Sequence, residues 1–113
     1  MNLEKHEYET VLFLTEQGFD VELIPPQNSK TADLIMDGQI WEMKCPRGSG
    51  NRTIEKLFQK ALHQSTNLIF DLRKIALLGE KARQQTVRQF KLRRSARRLI
   101  IITKAGKLLD LSK

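Results

Sequence analysis

The chain has 113 residues, 40% of them hydrophobic, which suits one compact domain with one core and leaves little room for separate catalytic and specificity domains. A formal charge of +7, from 20 Lys+Arg against 13 Asp+Glu, favours a polyanionic partner, nucleic acid ahead of an anionic membrane surface. The lone Cys45 excludes an internal disulfide, no apolar run approaches the roughly 20 residues that span a bilayer, and the N-terminus lacks a signal-peptide pattern, so the expected working compartment is the cytoplasm.

Residues 3–17 read as a helix, with Tyr8, Val11, Leu12 and Thr15 at helical spacing and Gly18 where a C-terminal cap belongs. Phe19 to Ile24 alternates like a strand and stops at Pro25-Pro26; Gln27 to Lys30 is a polar loop. Ala32 to Met36 and Gln39 to Lys44 flank Asp37-Gly38, a hairpin signal because both turn residues tolerate positive φ. Cys45 to Arg52, with Pro46, Gly48 and Gly50, is a loop. Thr53 to Ser65 is a second helix, with Ile54, Leu57, Phe58, Ala61 and Leu62 on one face, and Leu68 to Leu72 is a buried strand; strand, helix, strand implies a parallel crossover. Residues 79–94 form a third, highly charged helix. Leu99 to Thr103 is a further buried strand, Ala105-Gly106 a turn, and Lys107 to Leu111 a short strand pairing back. The order αβββαβαββ describes an α/β fold, a mixed central sheet flanked by helices.

The chemistry-bearing residues centre on the hairpin. Side chains alternate along a strand, so Glu42 and Lys44 share one face while Trp41, Met43 and Cys45 share the other. The turn brings Asp33, at the start of the preceding strand, beside that pair. Two carboxylates can bind a hard divalent cation through oxygen. Lys44 could orient or deprotonate an attacking water, or stabilise charge developing on phosphorus. Glu42-Met43-Lys44 is the only Glu-x-Lys in the chain, although its spacing alone fits an exposed surface ion pair equally well.

Glu7 stands four and seven residues before Val11 and Leu14, on a stripe next to the core, and could reach the same site; Glu4 is its substitute on that side. An ordinary first-turn acid favoured by the helix dipole is the plainer account of Glu7. Gln59 and His63 are one turn apart beside the apolar stripe of the second helix, followed by Gln64 and Asn67, and could position a phosphate or ribose. His6, His63 and Cys45 lack zinc-ligand spacing. Lys81, Arg83, Arg88, Lys91, Arg93, Arg94, Arg97 and Arg98 fall within one stretch, and Arg47 and Arg52 flank the glycine loop. This density suits phosphate binding with strong salt dependence. Aromatic residues make up only 6%, so a base-stacking platform is not indicated, and double-stranded or folded RNA held through its backbone fits better.

Glu7 on a first helix, Asp33, and Glu42-Met43-Lys44 after a short hairpin resemble the PD-(D/E)XK nuclease superfamily. More narrowly, TADLIMDGQIWEMKCPRGSG followed by QKALHQSTNLIFDL is similar to the C-terminal nuclease domains of contact-dependent growth inhibition (CdiA-type) toxins, restriction-endonuclease-like tRNases of bacteria. The resemblance covers Glu4 to Leu72 well and the remainder loosely. It implies a single restriction-endonuclease-like domain over residues 1–113 that cleaves tRNA with a divalent metal, Mg²⁺ first and Mn²⁺ or Zn²⁺ as alternatives. It further implies Asp33, Glu42 and Glu7 as metal ligands and Lys44 as the catalytic lysine; the expected contacts to nucleic acid, from the residue pattern above, are Arg47, Arg52, Gln59, His63, Arg88, Lys91 and Arg94. A cognate immunity protein, and delivery from another cell as part of a larger toxin, follow from the same resemblance. The superfamily often has Pro before its first Asp, where this chain has Ala32. A DNA endonuclease of the same fold and a non-catalytic nucleic-acid-binding module are the alternatives that the residues themselves leave open.

Overall fold

A computed structural model describes residues 4–25 and 33–113. The elements are α1 Lys5–Glu16, β1 Val21–Leu23, β2 Leu34–Met36, β3 Gln39–Lys44, α2 Thr53–Leu62, β4 Asn67–Asp71, α3 Gly79–Leu92, β5 Arg98–Ile102 and β6 Leu108–Ser112. This is the order expected from the sequence. The expected loop at Gln27 to Lys30, and Ala32 at the head of the second strand, lie outside the described residues.

One sheet carries all six strands in chain order, β1 to β6. β3, β4 and β5 run parallel, and the outer pairings are antiparallel. The helices α2 and α3 are the two crossovers that parallel pairing requires. The hairpin between β2 and β3 closes with Asp37 at φ 50° and Gly38 at φ 82°, the left-handed conformations that Asp and Gly adopt most readily. Its register sets Leu34 opposite Trp41 and Met36 opposite Gln39.

The sheet is apolar on both faces. Leu34, Met36, Trp41, Met43, Ile69, Ile100 and Ile102 pack on one side with Leu14 of α1. Leu68, Phe70, Leu99 and Ile101 pack on the other with Ile54, Phe58 and Ala61 of α2 and Ala82 and Phe90 of α3. A strand buried on both faces needs a continuous apolar run, and Leu68 to Phe70 and Leu99 to Ile102 supply it.

The inward face of α1 differs from the expected stripe. Tyr8 and Leu12 are 59% and 47% exposed, whereas Thr10 and Leu14 are fully buried. The reason is polar. Thr10 Oγ1 donates to the buried Asp71 carboxylate at the end of β4, and that bond fixes the rotation of the helix. Gly18, at φ 97°, ends α1 as expected, with the Phe19 amide bonded back to the Leu14 carbonyl. The second helix stops at Leu62, short of the expected Ser65, because Ser65 Oγ donates to the Ile40 carbonyl at the start of β3. The third stops at Leu92 rather than 94, with Arg93 already extended. Among the described residues no helix is long and apolar enough to cross a membrane.

Candidate active site

Alternation along β3 puts Glu42 and Lys44 on the same face as Leu68 and Phe70, their partners on β4. This is the α2 side of the sheet. Glu42 is 5% exposed, and its Oε2 lies 3.3 Å from Lys44 Nζ. Lys44 keeps about a quarter of its side chain in solvent, so it reaches from the buried acid to the surface. Asp33 immediately precedes β2 and exchanges backbone contact with Trp41, whose carbonyl accepts the Asp33 amide at 3.1 Å. Its Oδ2 accepts the Met43 amide at 2.9 Å, which holds the carboxylate across the hairpin beside Glu42.

Burial, followed by the negative charge of Asp33, pushes the Glu42 carboxyl up to about 7, against the pull of Lys44 in the opposite direction. Glu42 Oε1 is buried with no hydrogen-bond partner. A buried acceptor in that state is costly unless a donor or cation meets it. The donor set is thus two carboxylates close enough to repel and an inward oxygen without a partner. Both features suit a hard divalent cation bound through oxygen.

Glu7 is half-buried at the start of α1, where its Oε1 accepts the Glu4 amide at 3.1 Å. Its ligand atoms group with those of Glu4 and His6 within 4.8 Å, and among the described residues no set of that kind joins Glu7 to Asp33 and Glu42. α1 packs on the opposite face of the sheet from Glu42, next to Cys45. Glu7 fills the plainer first-turn role through that bond, and a part for it as a third metal ligand is a proposal that rests on the resemblance alone.

A polar network at the ends of β3 and β4 escaped the sequence reading. Asp71, 4% exposed, accepts Thr10 Oγ1 and a forked pair from Arg73, Nε to Oδ1 at 3.0 Å and Nη2 to Oδ2 at 2.8 Å. Arg73 Nη2 also donates to the Glu9 carbonyl, and its guanidinium lies over the Phe13 ring. The network ties α1 to the sheet. Its only sequence signal is a carboxylate closing an apolar strand with an arginine two residues on. Cys45 sits 3.3 Å from Thr10 Oγ1, and burial pushes its thiol up to about 11, which disfavours the thiolate.

The family model for the contact-dependent growth inhibition CdiA C-terminal domain matches residues 30–108. The chain belongs to this family. The fold of this CdiA C-terminal domain is similar to that of a solved CdiA-CT/CdiI toxin and immunity complex from Burkholderia pseudomallei. The TM-score is 0.70 at 20% identity, covering 96% of this chain and 83% of that one. No curated protein sequence matches the chain.

The basic candidates of this CdiA C-terminal domain divide among three places. Gln59 and His63 line a groove with Leu92, Arg93 and Arg94, where the C-terminal ends of α2 and α3 meet. Arg88 and Lys91 continue along α3 with Arg83 and Val87. Arg47 and Arg52 stay on the loop between β3 and α2. Arg52 pairs with Glu55 at 2.9 Å, and Arg47 Nη2 lies 3.3 Å from His6 Nδ1. The Gln59–Arg94 groove and the acidic pair thus occupy the same face of the sheet on opposite flanks of α2.

Proposed function

We propose that this domain is a metal-dependent endoribonuclease of the PD-(D/E)XK type that cleaves tRNA, delivered from another cell as part of a larger toxin and acting in the cytoplasm. The observation that carries the reading is the sharing of one sheet face by Asp33, Glu42 and Lys44, with the buried Glu42 Oε1 lacking a partner. A surface ion pair would leave both carboxylate oxygens in water and would not raise the Glu42 pKa by burial.

Asp33 and Glu42 would hold the cation, Mg²⁺ first, with Mn²⁺ or Zn²⁺ as alternatives. When bound, such an ion polarises a phosphodiester oxygen and lowers the pKa of a coordinated water. The Met43 amide donates to Asp33 Oδ2 and so holds that carboxylate against the strand that carries Glu42. Lys44, held by Glu42 and partly open to solvent, is placed to meet a phosphate oxygen and stabilise the charge that develops there. The exposed Arg88, Lys91 and Arg94, with Gln59 and His63, would grip the RNA backbone beyond the site. The solved neighbour is a toxin and immunity complex, and a cognate immunity protein is proposed for this domain on that ground.

The test is cleavage of total tRNA and of plasmid DNA with Mg²⁺, with Mn²⁺ and with EDTA, comparing wild type with Lys44→Ala. The expected result is tRNA cleavage that needs the metal and falls by at least about 100-fold in the variant. Cleavage of plasmid alone would assign a DNA endonuclease. Activity surviving in EDTA or in the variant would overturn the mechanism, and binding without cleavage would leave a nucleic-acid-binding module.

A further inference from the structure

Glu42 Oε1 and Gln64 Oε1 are the buried side-chain polar atoms that find no hydrogen-bond partner among the described residues. Gln64 Oε1 is an acceptor, and Glu42 Oε1 is one whenever the carboxyl is ionised, its alternative to a cation being a proton shared with Asp33. They belong to different elements. Glu42 rises from β3, and Gln64 lies two residues past the end of α2.

The two flanks of α2 are distinguishable. Asn51, Glu55, Gln59, Leu62 and His63 border the grooves shared with α3. Ile54, Phe58 and Ala61 point down into the core. With about 3.6 residues per turn, the flank opposite α3 is left to Thr53, Leu57, Lys60 and Gln64. The helical sense persists through Gln64, whose amide bonds to the Ala61 carbonyl at 2.9 Å, as that of His63 does to Lys60. α3 lies toward β5 and β6, where Gly79 and Arg83 meet Lys104 and Leu109. The free flank of α2 therefore faces β3 and β2, the strands that present Glu42, Lys44 and Asp33. Two further bonds pin the end of α2 to that side: Ser65 Oγ and Asn67 Nδ2 both donate to the Ile40 carbonyl, at 2.8 and 3.1 Å. Ile40 is two residues from Glu42 on the same face.

We propose that Gln64 is a further oxygen ligand of a divalent-cation site that it forms with Asp33 and Glu42. The assignment rests on the metal-dependent reading above. An amide oxygen is an ordinary ligand for hard cations, alongside carboxylates and water. It adds a donor without adding a negative charge to a place where two carboxylates already repel. A cation seated there gives both partnerless oxygens the positive partner they lack.

The test is Mn²⁺ binding to the metal-free full chain, followed by the paramagnetic resonance signal of the free ion. Gln64→Leu and Gln64→Met remove the oxygen, the second keeping the side chain's length. Both are expected to weaken binding about 10-fold or more while the melting temperature in EDTA stays level or rises. Gln64→Glu restores an oxygen and is expected to bind at least as tightly as wild type. Glu42→Gln is expected to lose most of the binding. Wild-type affinity in Gln64→Leu and Gln64→Met, with loss in Glu42→Gln, would overturn the role of Gln64 and leave the Asp33–Glu42 reading standing. Wild type that binds no Mn²⁺ would overturn both. A fall in melting temperature in EDTA without a change in affinity would make Gln64 a packing residue and overturn the proposal.

Discussion

Lys44 Nζ lies 3.3 Å from Glu42 Oε2, yet the Glu42 carboxyl is pushed up to about 7 rather than down. The lysine's attraction is outweighed by burial and by the neighbouring Asp33 charge. Lys44 is partly in water, where its field is screened, whereas Glu42 is buried and desolvation is the largest influence on it. A pair built for stability would have the balance the other way round. This one holds a carboxylate in a state that a cation would relieve.

The consequence for stability has a definite sign. The folded-state Glu42 carboxyl binds its proton more tightly than the unfolded chain does, so its contribution is fully present below about pH 4.5 and is lost as the pH rises through about 7. The loss is on the order of 3 kcal/mol. Metal-free Glu42→Gln should therefore melt several degrees above wild type at pH 8 and close to it at pH 4.5. Thermal unfolding in EDTA across that range measures it. A variant that is less stable than wild type at pH 8 would show the Lys44 pair to be the larger effect.

The αβββαβαββ order was legible because each element carries a local signal. Asp37-Gly38 announces its turn, and the apolar runs Leu68 to Phe70 and Leu99 to Ile102 can be satisfied only between two helical layers. The face shared by Glu42 and Lys44 follows from strand alternation alone. The rotation of α1 was hidden, because Tyr8 and Leu12 look like a core stripe and what turns the helix is a hydrogen bond from Thr10 to Asp71, 61 residues away in sequence. The same long-range origin hid Arg73. Glu7 has apolar residues at the right spacing, but periodicity cannot say on which side of the sheet its helix packs.

The hairpin turn can be tested separately from the chemistry. Gly38 holds φ 82° with nothing near the position of an added Cβ, so Gly38→Ala meets only backbone strain. The expected cost is roughly 1 kcal/mol, read as a drop of a few degrees in melting temperature. Asp37→Gly tolerates the same backbone but gives up the bond from the Asp20 amide to Asp37 Oδ1, 3.0 Å. It should cost a similar amount for a different reason. Combining the two measures whether the strain and the bond are independent.

Asp71→Ala should be the most damaging single change outside the apolar core. It leaves the Arg73 guanidinium without its forked partner and Thr10 without its acceptor. Breaking a buried pair from one side costs on the order of 3 kcal/mol. Arg73→Met should cost less, since Arg73 is 27% exposed and part of its loss is packing against Phe13. Chemical denaturation of both single variants and the double gives the coupling energy. A coupling near zero would mean that α1 is held by Leu14 and its neighbours rather than by this network.

The basic surface of α3 and the residues just past it should govern affinity without governing the fold. Arg88, Lys91 and Arg94 are exposed, and none takes part in an ion pair among the described residues. Replacing each by Ala is expected to leave the melting temperature within about a degree, since exposed substitutions of this kind shift stability by at most about 0.5 kcal/mol. Binding of tRNA, the proposed substrate, by the Lys44→Ala protein, expected to bind it without cutting, should weaken with each replacement. The slope of log affinity against log salt should fall by about 0.7 to 0.9 for every phosphate contact removed. Arg52→Ala serves as the contrast, because Arg52 is already held by Glu55 and offers less free charge to a phosphate. A slope unchanged by all three replacements would move the RNA path off α3 and the segment just past it, and onto the loop that carries Arg47, beside the end of β3.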